Sequence, residues 1–101
     1  MVARLWHGYT NPKNAPVYEQ MLLSEILPGI HRIKGYQGCY LLKREMGDEV
    51  EFITITLWES LDAVREFAGP DYVKSVIEPK AAALLVRHDN ESVHYECVHS
   101  E

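Results

Sequence analysis

Along this chain the spacing of apolar positions changes period, and the changes mark out its elements. From Glu51 to Trp58 the side chains alternate. Ile53, Ile55 and Leu57 fall on one face; Phe52, Thr54, Thr56 and Trp58 fall on the other. β-Branched and aromatic residues dominate, which suits a pleated strand. Charge enters only with Glu51 and Glu59 at the ends, so the pattern predicts a strand covered on both faces. The period then lengthens to that of a helix. Ser60 is placed to cap it, Leu61, Val64, Phe67 and Ala68 form its stripe, and Gly69-Pro70 stops it.

The remaining elements fall on either side of this stretch. Ala3 to Tyr9 reads as a strand with Ala3, Leu5, His7 and Tyr9 on one face and Arg4, Trp6 and Gly8 on the other. Thr10 to Asn14 supplies caps and a proline before a helix over Ala15–Leu27, whose stripe is Tyr18, Met21, Leu22 and Ile26. Pro28-Gly29 ends that helix. Gly35 to Glu45 is a second strand, its early glycines Gly35 and Gly38 marking a bend or a close backbone approach. Met46-Gly47-Asp48 is a hairpin turn that pairs it antiparallel with the next strand. After the second helix, Asp71 caps a short turn through Ile77 and Pro79 interrupts it. Ala81 to Val86 is ambiguous between helix and strand, because a short apolar run has no decisive period. Asp89-Asn90 reads as a turn, and Ser92 to Val98 as the last strand.

The order is strand, helix, strand, strand, helix, strand. That βαββαβ order predicts an α+β chain with a ferredoxin-like antiparallel sheet, both helices on one face. The other face would carry Ile53, Ile55 and Leu57 into water, so a cover is needed. A second copy of the sheet, in a homodimer, is the simplest one.

Composition narrows the partners. A length of 101 residues fits one domain, residues 1–101, and 47% hydrophobic content argues against disorder. The net charge is −5 and no basic run exists, which disfavours nucleic acid and anionic membrane surfaces. No apolar run approaches a membrane span, and the N-terminus lacks a signal pattern, so a cytoplasmic location is expected. Cys39 and Cys97 are far apart, without metal or redox spacing, and read as free thiols. No metal-ligand cluster, phosphate loop, dinucleotide fingerprint or nucleophile motif is present, so no metal and no cofactor are assigned.

The segments LWES (Leu57–Ser60), FAGPD (Phe67–Asp71), GYQGCYLLKR (Gly35–Arg44) and HYE (His94–Glu96) together resemble the antibiotic biosynthesis monooxygenase family over nearly the whole chain. The resemblance implies a dimeric α+β barrel, two ferredoxin-like subunits packed sheet to sheet, with a small-molecule pocket in each between sheet and helices. It implies cofactor-independent oxidation of a small aromatic or polyphenolic substrate, or a non-catalytic binding or stress-associated role on the same fold. Haem-degrading relatives combine a Trp at the end of the third strand, an Asn on the first strand and a His on the second helical segment. Trp58 matches the first of these. Ala3 and Ile77 stand at the other two positions, so haem degradation is disfavoured.

On this reading the catalytic candidates are His7, as general base, and Trp58. Tyr9, Thr54, Thr56 and Phe67 are the candidate substrate contacts. Each has a plainer role open to it: Trp58 as core, His7 as a hydrogen-bonded structural histidine. His94 and Glu96 share a face of the last strand, as an exposed polar pair or as an oriented imidazole.

Overall fold

The computed structural model describes residues 1–101. Its strands are β1 (Val2–Thr10), β2 (Tyr36–Glu45), β3 (Val50–Trp58), β4 (Leu85–His88) and β5 (Val93–Glu96). Its helices are α1 (Ala15–Met21), α2 (Leu27–Ile30), α3 (Leu61–Ala68) and α4 (Pro79–Ala82). A single antiparallel sheet runs β2-β3-β1-β4, with β5 also paired to β1. β4 and β5 lie end to end along one edge of β1 and together form the fourth strand of the ferredoxin-like sheet.

The first helical segment runs further than its sequence suggests. A π-helical turn, Leu22–Ile26, joins α1 to α2 and carries the helix through Pro28-Gly29 to Ile30. Proline lacks an N–H and its ring collides with the carbonyl four residues back. A widened turn just ahead of it, where Leu27 N–H reaches back to Leu22, accommodates Pro28 without ending the helix. At α3 the sequence signals hold. Ser60 Oγ accepts from Ala63 N–H at 3.2 Å, and Gly69 takes a φ of 86° that closes the helix on Arg65.

Two further boundaries differ from the sequence reading. Pro79 opens α4 rather than interrupting a turn, since proline is well placed at a first helical position. Asp89-Asn90 does not reverse the chain. It is where the fourth strand leaves β1: the Asn90 carbonyl accepts from Ser75 N–H, and Ser92 N–H donates to the carbonyl of Val73. Asp89 keeps the ladder closed across the gap: its N–H donates to His7 C=O and its carboxylate accepts His7 N–H.

The pairing of β1 with β3 sets Val2 opposite Trp58, Arg4 opposite Thr56, Trp6 opposite Thr54 and Gly8 opposite Phe52. These residues face the helices. Trp58, Phe52, Tyr18 and Val64 are sealed there and form the centre of the core. The other face carries Ala3, Leu5, His7 and Tyr9 on β1, Ile53, Ile55 and Leu57 on β3, Tyr40 and Leu42 on β2, and Val93 and Tyr95 on β5. The middle of that face is half-buried by its own neighbours, while Tyr40 stays 61% exposed and Tyr95 54%. Cys39 and Cys97 lie at opposite edges of the sheet, both free. No helix is long and apolar enough to cross a membrane.

Candidate functional site

Between sheet and helices lies a cavity of about 440 Å³, within the range of small-molecule sites. The sheet supplies its floor through Arg4, Trp6, Thr54 and Thr56. Leu22, Ile26 and Ile30 come down on it from the first helical segment, and Phe67 from α3. Val76 and Ile77 close one side from the irregular chain that follows, and Ser92 from the break in the fourth strand.

Its polar groups are few and placed. Trp6 lies flat over Gly8: a Cβ added there would meet the indole at 2.8 Å. Glycine is what lets the ring settle along the strand. Trp6 Nε1–H then donates to the carbonyl of Asp89 at 2.7 Å. Thr56 Oγ1 accepts from Trp58 Nε1–H at 2.8 Å. Tyr18 is 1% exposed, makes no hydrogen bond through its hydroxyl, and is pushed by burial up to about 12, so it remains an O–H donor. Arg4, 5% exposed, donates through Nη1 to the carbonyl of Tyr72 and to His94 Nε2 at 3.0 Å, and through Nη2 to the carbonyl of Lys74 at 3.1 Å. Burial lowers its pKa to about 10. Arginine has no lone pair to offer, so His94 Nε2 must be the acceptor. His94 is therefore a neutral imidazole with its proton on Nδ1. Burial first, and the Arg4 charge second, hold its pKa below the usual value.

The expected site residues separate into two groups. Thr54, Thr56 and Phe67 line the cavity. His7 and Tyr9 do not, because the β1–β3 register sets them on the opposite face of the sheet from Trp58. His7 Nδ1–H donates to the Asp89 carboxylate at 2.8 Å, which makes it part of the strand-break hub. Tyr9 donates to Glu51, and the Arg87 guanidinium lies 3.6 Å from the centre of its ring. A base at His7 acting in one pocket with Trp58 is thus not what the fold builds. Trp58 itself is wholly buried and lies behind the wall, stacked on Phe67 at 5.3 Å. Ala3, like His7, faces outward; the cavity-facing residues of the first strand are Arg4 and Trp6.

Sequence reasoning passed over Arg4, Trp6 and Ser92 as site residues and placed Tyr18 in the buried stripe of the first helix. The signal for Arg4 was available: a charged residue inside a strand, on the face it shares with Trp6 and Gly8, is costly unless it has work there. An iron porphyrin would need an axial ligand such as an imidazole. No histidine lines the cavity and no cluster of metal-binding side chains occurs, so these residues do not fit a haem held in that way.

No family model matches the sequence, and no curated protein does. Solved structures do match. A Deinococcus radiodurans protein described under the name antibiotic biosynthesis monooxygenase superposes with a TM-score of 0.71 at 15% identity, over 100% of this chain and 96% of that one. SnoaB, a cofactor-independent oxygenase from Streptomyces nogalater, gives 0.61 at 20% identity, over 98% and 95%. MhuD, a haem degrader of Mycobacterium tuberculosis, gives 0.64 at 18% identity, over 100% and 99%. The fold of this chain is that of the antibiotic biosynthesis monooxygenase structures, and at these identities the likeness is one of fold.

Proposed function

We propose that this chain is a cofactor-independent oxygenase of a small, planar aromatic or phenolic substrate, working as a homodimer joined through the outer sheet face. The cavity carries the reading. It is walled mostly by apolar and aromatic side chains, Trp6, Tyr18 and Phe67 among them, with Arg4, Thr54 and Thr56 on its floor. A phenolic ring would lie among those aromatic faces, with Thr54 and Thr56 along one edge. Its proton would pass to Glu25 or Glu78, the two carboxylates at the cavity rim. The electron-rich ring carbon para to the oxygen then bonds to dioxygen. The peroxide takes up a proton, and loss of water from the H–C–O–OH group leaves a carbonyl: phenol and dioxygen become quinone and water. The substrate is the reductant. Tyr18, kept protonated by burial, is placed to donate to developing negative charge on oxygen. The similarity in fold to SnoaB supports this chemistry.

One observation favours a second reading, ligand binding without turnover on the same fold. No imidazole lines the cavity, and both of its carboxylates are exposed. Oxygen uptake by purified protein with electron-rich naphthols and anthrones separates the two. Uptake above the protein-free rate, lost in Tyr18→Phe and retained after chelator treatment, is the outcome expected of the oxygenase. Tight binding of the same compounds without any uptake would replace the first reading by the second.

A further inference from the structure

Arg4 is the one buried full charge on the cavity floor, and its charge is not accounted for. It joins none of the ion pairs of the chain. Its partners are two backbone carbonyls and a neutral imidazole, none of which carries negative charge. Burying an unpaired cation is costly, and an arginine kept only to brace the Tyr72–Lys74 backbone would carry that cost for little.

The hydrogen bonds say which part of the group is spare. A guanidinium carries five N–H donors. Three are taken, two from Nη1 and one from Nη2. The Nε–H and one Nη2–H have no acceptor in the protein. The side chain is held in place by those three bonds and by the Phe67 ring, 5.6 Å away, and it lines the cavity beside Trp6 and Thr56. A fixed cation with two free donors, at the floor of an aromatic cavity, is built for an anion with two oxygens.

We infer that the cavity takes a planar aromatic ligand bearing a carboxylate, with Arg4 as its counter-ion and the ring held between Trp6, Phe67 and the first helical segment. This deepens the proposed function by naming the substrate class, and it rests on the cavity being a ligand site. His94 serves here as a positioning residue, since its lone pair occupies the Nη1 side and leaves the Nε side for the ligand.

The test is a titration of the wild-type protein at neutral pH with naphthalene-2-carboxylate and with naphthalene-2-carboxamide, followed by calorimetry or tryptophan fluorescence. The two probes share shape and differ in charge. The carboxylate should bind at least about tenfold more tightly, the usual scale of a charge-assisted hydrogen bond. Arg4→Lys, which keeps the charge and loses the fork, should retain part of that preference. Arg4→Gln, checked for an unchanged near-ultraviolet spectrum, should bind both probes alike. If Arg4→Gln fails to fold, the wild-type ratio and Arg4→Lys still decide the matter. Equal affinities in the wild type would overturn the assignment of Arg4 and leave the aromatic cavity standing. Failure of both probes to bind would overturn the ligand-site reading itself, and this inference with it.

Discussion

The two faces of β3 are built from much the same kind of residue and have opposite fates. Toward the helices, Phe52 and Trp58 are sealed, and between them Thr54 and Thr56 open onto a cavity. On the other side Ile53, Ile55 and Leu57 form an unbroken aliphatic row with no part of the chain above it. The inner face is covered by its own polypeptide and carries polar groups where a ligand would sit. On β3 the outer side is apolar from Ile53 to Leu57 and turns polar only at its end, where Glu51 joins Tyr9 and Arg44. A gap in an apolar pattern, rather than the pattern itself, marks the place where chemistry is possible.

The strongest way to break this contrast is to put a charge in the middle of the outer face. Ile55→Asp should convert the proposed dimer to monomer or aggregate, because an unpaired carboxylate in a closed interface costs several kcal/mol. Sedimentation equilibrium reads the result. A dimer of unchanged affinity would show that the outer face is not the interface.

The inner face is sensitive to shape instead. Gly8→Ala would place a methyl 2.8 Å from the Trp6 ring and 3.2 Å from Leu85. The indole must shift or the strand must, at a cost of about 1–3 kcal/mol. Urea unfolding measures it, and wild-type stability in this variant would mean that Trp6 is free to move.

A smaller effect is expected from pH, and it belongs to the inner face alone. The folded state holds the His94 pKa below its unfolded value. Between those two values the unfolded chain binds more protons, so stability rises with pH across that window. It is fully present above the ordinary histidine pKa of about 6.5 and is lost as pH falls toward the folded value. His94→Gln, whose side-chain carbonyl can still accept from Arg4, should melt with a shallower dependence on pH below neutrality. An identical slope in both proteins would detach His94 from the acid sensitivity.

The smallest expected change sharpens the contrast from the other side. His7→Ala should leave aromatic binding in the cavity within about twofold of wild type, since an outward-facing side chain makes no contact there. A large loss of affinity would mean that the two faces communicate through Asp89.

The fold could be read from the sequence, because each strand of β1 to β3 carries its own alternation and both helix caps use ordinary signals at Ser60 and Gly69. The fourth strand could not. Its break at Asp89 depends on a carboxylate standing in for a backbone carbonyl, and nothing local distinguishes that from a turn. The site was half visible for the same reason. Thr54, Thr56 and Phe67 follow from the face of Trp58. Which face of β1 joins them depends on a register between strands distant in sequence, which pairs Trp6 with Thr54, and sliding it by one residue exchanges His7 for Trp6.

The π-helical turn at Leu22–Ile26 has a consequence for how such a chain can change in length. A widened turn is one residue more than an α-helix needs, an insertion absorbed without breaking the rod. Leu22 lies on one side of the swelling and Leu27 and Ile30 on the other, and all three reach the cavity. Removing a single residue between Leu23 and Glu25 would take the widened turn away, leave the flanking turns in nearly the same phase, and set the ring of Pro28 against the carbonyl four residues back. The roof would kink at Pro28, beside Leu27 and Ile30, while the sheet beneath stayed intact. In a lineage of such proteins, the shape of the chamber can therefore be reset by a one-codon deletion, at a point where no side chain need be substituted.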